Sequence, residues 1–143
     1  MESALSVSAL IVSTAAVIVS ILSWRAAIRA NNATIFEQRF AVYRDAEDFI
    51  RSWTQHGVPD IDTKLRSLVD AWNRSHFLFD GEVTVYLRKL WLDGLEANLA
   101  EHVIRGEHDG DYQAAVDKKY SLLRLHCADE SPLRKVFVKH MKV

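Results

Sequence analysis

Apolar residues follow two patterns along this chain. From Ala4 to Trp24 the sequence reads ALSVSALIVSTAAVIVSILSW, 21 positions without a charge. A helix of that length spans about 30 Å at about 1.5 Å per residue, the thickness of a bilayer's hydrocarbon core, so the stretch predicts a transmembrane helix. Beyond it, apolar positions recur at steps of three and four, the period of amphipathic helices.

The first such helix runs from Arg25 to about His56, with Ile28, Ile35, Phe36, Phe40, Tyr43, Ala46, Phe49, Ile50 and Trp53 on its stripe. Its weakest helix formers are Asn31 and Asn32, and Gly57-Val58-Pro59 ends it. A second is expected to start between Asp60 and Thr63 and to carry Leu65, Leu68, Val69 and Trp72 to about Phe77. Asp80 is a candidate N-cap for a third, which has Glu82 in its first turn, then Val83, Leu87, Leu90, Trp91, Leu95, Leu99 and Val103, and stops at Gly106. A fourth covers about Tyr112 to Cys127 with Val116, Tyr120, Leu123 and Cys127 on one face. Ser131-Pro132 opens a fifth that places Leu133, Val136, Phe137, His140 and Met141 together. No segment shows strand alternation. The expected class is all-α: an N-terminal transmembrane helix continuing into an antiparallel bundle of four to five helices. Residues 1–30 form the anchor and juxtamembrane segment, and residues 31–143 the bundle.

The anchor's flanks and its small residues carry further expectations. The chain opens Met1-Glu2 rather than with a basic segment, and its apolar run is long, as in an uncleaved anchor. Trp24, Arg25 and Arg29 sit at its end as interface residues, and the cations fall on that side alone. The positive-inside rule then places the amino terminus outside and the bundle in the cytoplasm. Ser6, Ala9, Ser13, Ala16, Ser20, Ser23, Ala27 and Ala30 follow alternating steps of three and four, forming one seam of small side chains. Small residues allow close approach of helix backbones in lipid, so the seam is expected to pair with a second copy. Two other readings stay open: a composition rich in Ala and Ser without pairing, and a polar stripe of Ser6, Ser13 and Ser20 facing a pore.

Charge and composition narrow the functions. Residues 25–143 carry 18 basic and 18 acidic side chains, and this neutrality argues against general nucleic-acid binding. Cys127 is the sole cysteine, which fits a reducing compartment. Two prolines and five glycines are few breakers, as befits a helical protein. Trp53, Trp72 and Trp91 lie on or beside apolar stripes and are expected in the core.

A resemblance enters with Phe36-Glu-Gln-Arg39-Phe-Ala-Val-Tyr43, His76-Phe-Leu-Phe79-Asp-Gly-Glu-Val83 and Tyr86-Leu87 behind an N-terminal anchor. This combination resembles a widespread group of small bacterial single-pass membrane proteins with a cytoplasmic helical domain. In that group an Arg and a Tyr recur on the first cytoplasmic helix and a Phe-Leu-Phe turn introduces a later one. The resemblance implies architecture and a bacterial inner membrane, and brings no activity with it.

Candidate chemistry is sparse. Arg51 and His56 have R-x4-H spacing, and Arg134 and His140 have R-x5-H. These resemble the R-x4-6-H signature of HEPN proteins, which include metal-independent RNases, and of membrane accessory proteins of CRISPR-linked phage defence. There His would act as general acid or base on a ribose hydroxyl while Arg stabilises phosphate charge. With 11 arginines and 6 histidines in the chain, chance supplies about one or two such spacings, so no catalytic residue is assigned. His102, Glu107, His108, Asp109 and Asp111 lack a recognised ligand spacing and read as a solvated turn. His126 and Cys127, near Asp129 and Glu130, point about 100° apart as helix neighbours. No metal and no cofactor is expected. Arg134, Lys135, Lys139 and Lys142 beside an apolar face suit either closure of the bundle or contact with anionic lipid.

The reading that joins these features is a membrane-anchored, self-associating helical interaction module without catalysis. Its partners would be the bilayer, a second copy and a cytoplasmic protein, with nucleic acid not expected. The alternatives are an oligomeric pore or effector of antiphage defence, and a membrane-tethered RNase using Arg134 and His140 or Arg51 and His56.

Overall fold

The computed structural model describes residues 2–127 and 132–141, and side chains from residue 10 onward except Ile11. The side chains of Ser6 and Ala9, the Ser131 cap, Asp129, Glu130 and Lys142 therefore lie outside the described residues. The protein is all-helical, 85% helix, with no strand among the described residues. Among the described residues five helices follow in order: α1 (Glu2–His56), α2 (Lys64–Leu78), α3 (Gly81–Ile104), α4 (Tyr112–Cys127) and α5 (Pro132–Val138). The chain forms two compact units, Met1–Phe36 and Glu37–Val143, whose boundary falls inside α1.

The first unit is helix throughout its described length. From Val12 on, α1 contains an 18-residue window of mean hydropathy 1.3 that is 0% buried, long and apolar enough to cross a membrane. Several of its described hydroxyls bond within the helix. Ser13 donates to the Leu10 carbonyl at 2.9 Å, Thr14 to the same carbonyl at 2.8 Å, and Ser20 to Ala16 at 2.8 Å. Bonding back to the preceding turn removes the cost of carrying a hydroxyl into an apolar medium.

The second unit is a helical bundle with α3 at its centre, packed against α2, α4 and α5. The core begins at Val42 on α1 and continues through Ala46, Phe49 and Trp53. Phe36 and Phe40, expected on the same stripe, are 36% and 46% exposed. Leu68 of α2, Leu87 and Leu90 of α3, Leu122 of α4 and Phe137 of α5 complete the core. Trp53 is fully buried; Trp72 and Trp91 are partly buried against the core and stack at 6.0 Å with planes 12° apart.

Helix ends follow local chemistry. Gly57 takes a φ of 71° and returns its N–H to the Trp53 carbonyl at 2.8 Å, a left-handed stop that glycine adopts without a Cβ penalty. Gly106, φ 74°, ends α3 in the same way, with its N–H on Val103. Asp60 caps a turn rather than α2 itself: its carboxylate accepts the Thr63 N–H at 3.0 Å and hydroxyl at 2.6 Å, and the helix starts at Lys64. Asp80 occupies the N-cap of α3 without a side-chain cap bond. The better cap is Asp111, placed by sequence in a solvated turn, which accepts the N–H groups of Gln113 and Ala114 at 2.9 and 3.1 Å.

Two buried faces differ from the pattern of large apolar residues. On α3, Gly94, Ala97 and Ala100 are buried while Leu99 is 56% exposed. On α4, Ala115, Leu122 and His126 are buried while Tyr120 is 51% exposed. Small residues are buried where helices approach closely, and a polar residue is buried where it meets a partner. Neither cause is visible in hydrophobic periodicity.

Candidate functional site

The most concentrated polar chemistry inside the bundle lies where α1, α3 and α4 meet. His126 of α4 is 1% exposed. Its Nε2 lies 2.7 Å from Asp93 Oδ2 on α3. Trp53 and Tyr86 flank the imidazole, their ring centroids 5.7 and 6.3 Å away. Burial pushes His126 below its ordinary value despite the opposing pull of the Asp93 carboxylate. The ring is thus neutral at pH 7, donating Nε2–H to Asp93 and leaving Nδ1 as an acceptor.

An Asp–His pair of this kind can orient a general base. Here the free nitrogen faces the core: among the described residues, His126 Nδ1, Trp53 Nε1 and Tyr86 Oη are all buried without a hydrogen-bond partner. Burial holds the Tyr86 hydroxyl far above the usual phenol range. It also pushes the Cys127 thiol up, and Cys127 Sγ points to the Ile50 carbonyl at 3.9 Å. A protonated thiol beside a histidine that faces elsewhere is not an activated nucleophile. The arrangement holds α4 to α3 rather than presenting groups to a substrate.

A second cluster gathers around Arg39. Its Nε donates to the Leu78 carbonyl at 2.9 Å and its Nη1 to the His140 carbonyl at 3.1 Å, while the guanidinium lies 5.6 Å from the centre of the Phe79 ring. Tyr43 meets Phe137 edge-on at 5.4 Å, and Phe137 meets Phe79 at 5.3 Å. Arg39, Tyr43 and the Phe77-Leu78-Phe79 turn, separate in sequence, thus share one end of the bundle. Arg39 joins the C-terminus of α2 to the residues after α5, where carbonyls lack helical partners.

The R-x4-6-H residues are placed as follows. Arg51 is exposed and pairs with Glu47 at 3.7 Å, while His56 Nδ1 lies 2.9 Å from the Ser52 carbonyl of its own helix. Arg134 is exposed on α5. His140 follows the end of α5 in a turn, near Asp80 at 3.8 Å and Glu82 at 3.6 Å. Among the described residues no hydrogen bond or ion pair joins either arginine to its histidine. His102, in the last turn of α3, bonds Glu107 of the following turn and faces His108 edge-on at 5.9 Å. Among the described residues no three His, Cys, Asp or Glu side chains are grouped to hold a metal.

Trp24 is 65% exposed, and residues 12–34, which include the rest of the seam, Arg25 and Arg29, are exposed throughout. Sequence reasoning missed Asp93. The available signal was a carboxylate beside Gly94 on a buried face, with a histidine four residues after a core leucine on α4. Compared with known protein families, curated proteins and solved structures, the chain matches none.

Proposed function

We propose that the protein is a single-pass, membrane-anchored, self-associating helical interaction module. The observation that carries this reading is the uncovered apolar helix of the first unit, 0% buried over a membrane-length window. Leaving such a surface in water costs about 25 cal/mol per Å² of apolar area, so lipid is its natural solvent. In this reading the amino terminus lies outside and the bundle, with its helices antiparallel, in the cytoplasm of a bacterial cell; Arg25 and Arg29 at the helix end support that orientation by the positive-inside rule. The small-residue seam pairs copies within the membrane. Ser13 and Ser20, bonded to their own helix, suit close packing in an apolar medium. Catalysis is not part of this reading, because the buried Asp93–His126 pair aims its open nitrogen into the core.

The test is fractionation followed by mass measurement of the full chain. The protein is expected to remain with membranes after alkaline carbonate washing, and Val17→Arg combined with Ile18→Arg to release it, since each charge at a helix centre costs about 2.5–3.5 kcal/mol. Quantitative release of the unaltered chain would sink the anchor. In mild detergent the unaltered chain should run as an oligomer, and a variant carrying Ser13→Leu, Ala16→Leu and Ser20→Leu should lose mass. A monomer in both cases would remove self-association through the seam.

A further inference from the structure

Helix α3 is apolar on two sides. One side enters the core through Val83, Leu87 and Leu90, while on the other Val85, Leu92 and Leu99 are 69%, 42% and 56% exposed. Seven-residue steps keep these three within about 20° of one line per heptad, so they form a stripe rather than scattered surface residues.

Charges beside the stripe are arranged symmetrically about Leu92. Val85 and Leu99 lie seven residues to either side, and Arg88 and Glu96 lie four to either side. Placing a second α3 antiparallel across a two-fold axis at Leu92 sets each Leu92 against its own copy, each Val85 against a Leu99, and each Arg88 against a Glu96. A parallel pairing would set Arg88 against Arg88 and Glu96 against Glu96, which repel. The groups are available for this use. Arg88 makes no ion pair among the described residues, and Glu96, about half exposed, engages Lys118 through Oε2 at 2.7 Å, leaving Oε1 open to a second cation.

We infer that this face is a self-association surface in the bundle itself, where two copies of the chain pair isologously through antiparallel α3 helices centred on Leu92. It rests on the self-associating reading and adds a contact that does not depend on the anchor seam.

Cysteine cross-linking of the full chain in mild detergent tests it, in a Cys127→Ser background. Under mild oxidation Leu92→Cys should form covalent dimer at least about tenfold faster than Tyr112→Cys, an exposed position off the face. Val85→Cys alone should stay monomeric, because the two copies would lie about 21 Å apart along the axis, while Val85→Cys combined with Leu99→Cys should cross-link. Arg88→Glu and Glu96→Arg should each slow the Leu92→Cys reaction about tenfold, and together restore it. A Leu92→Cys rate equal to that of Tyr112→Cys, cross-linking of Val85→Cys alone, or no rescue by the charge exchange would overturn the proposal. Repetition with Ser13→Leu, Ala16→Leu and Ser20→Leu separates the two contacts. Cross-linking that persists there shows that the face pairs by itself; a silent Leu92→Cys in a chain whose oligomer depends on the seam removes the face and keeps the anchor reading.

Discussion

A methyl group added at Gly94 would lie 2.7 Å from Phe49 Cζ, and Phe49 is fully buried. Alanine improves helix propensity by about 1 kcal/mol over glycine, but here the ring has no open side toward which to yield. Gly94→Ala should therefore destabilise the bundle by about 1–3 kcal/mol in urea unfolding. Gly81→Ala, where nothing lies within 4 Å of the added carbon, should change stability by less than about 1 kcal/mol. Equal effects would mean that the α1–α3 approach is looser than described.

His126 gives a pH dependence at the same scale. Its folded-state pKa lies below 6.5, so in acid the unfolded chain takes up the proton first. Stability is then fully present above about 6.5 and falls as pH drops through that value toward the lower folded one. Thermal midpoints should decline over that window, and His126→Gln should flatten the decline while lowering stability at pH 7. An unchanged slope in the variant would assign the acid sensitivity elsewhere.

Among the elements, α4 and α5 depend most on contacts that lie outside their own sequence. α5 is seven residues long, too short to persist alone, and its buried Leu133 and Phe137 hold it to the core. Arg39 secures the chain just beyond it. Arg39→Ala leaves the Leu78 and His140 carbonyls without their charged donor and should cost about 1.5–3 kcal/mol. Arg39→Lys should recover only part of this, because an ammonium lacks the planar fork that reaches two carbonyls at once. Limited proteolysis should cut after α5 sooner in both variants; cleavage at the unaltered rate would reduce the clamp to a surface contact. For α4, Asp111→Ala removes the acceptor of two N–H groups and should cost about 1 kcal/mol, measured by the same unfolding experiment.

Helix spans were largely legible in the sequence because breakers mark them. Gly57 and Gly106 stop helices where a positive φ is required, and few other breakers interrupt them. Faces were less legible. Lys119 is partly buried on α4 because it meets Glu101 at 2.6 Å, and His126 because it meets Asp93. Each partner lies a helix away, so no window along α4 contains the cause. Arg39 and the Phe-Leu-Phe turn were singled out as separate motifs, and only folding brings the guanidinium to the Leu78 carbonyl, 39 residues on.

At the scale of the whole molecule, the proposed orientation rests on few charges. Arg25 and Arg29 provide the cation bias next to the anchor, so Arg25→Glu with Arg29→Glu should scramble the topology of the proposed single-pass chain. Asp109→Cys in a Cys127→Ser background, in an exposed turn, should be shielded from a membrane-impermeant thiol reagent in intact cells and become reactive in the charge-reversed variant. Labelling of the unaltered orientation from outside would reverse the assignment. The bundle, residues 31–143, carries 16 basic and 18 acidic side chains, so its small net charge does little to decide its side.

Composition and periodicity alone determined that this chain is helical, that one stretch is apolar over a membrane's thickness, and where most helices stop. Those properties depend on residue type and on neighbours within a turn or two. Tertiary structure decided which carboxylate meets His126, why glycine and alanine rather than Leu99 face the core, and which side of α3 remains apolar and uncovered. Each of these is a contact between segments distant in sequence, and such contacts exist only once the helices have packed.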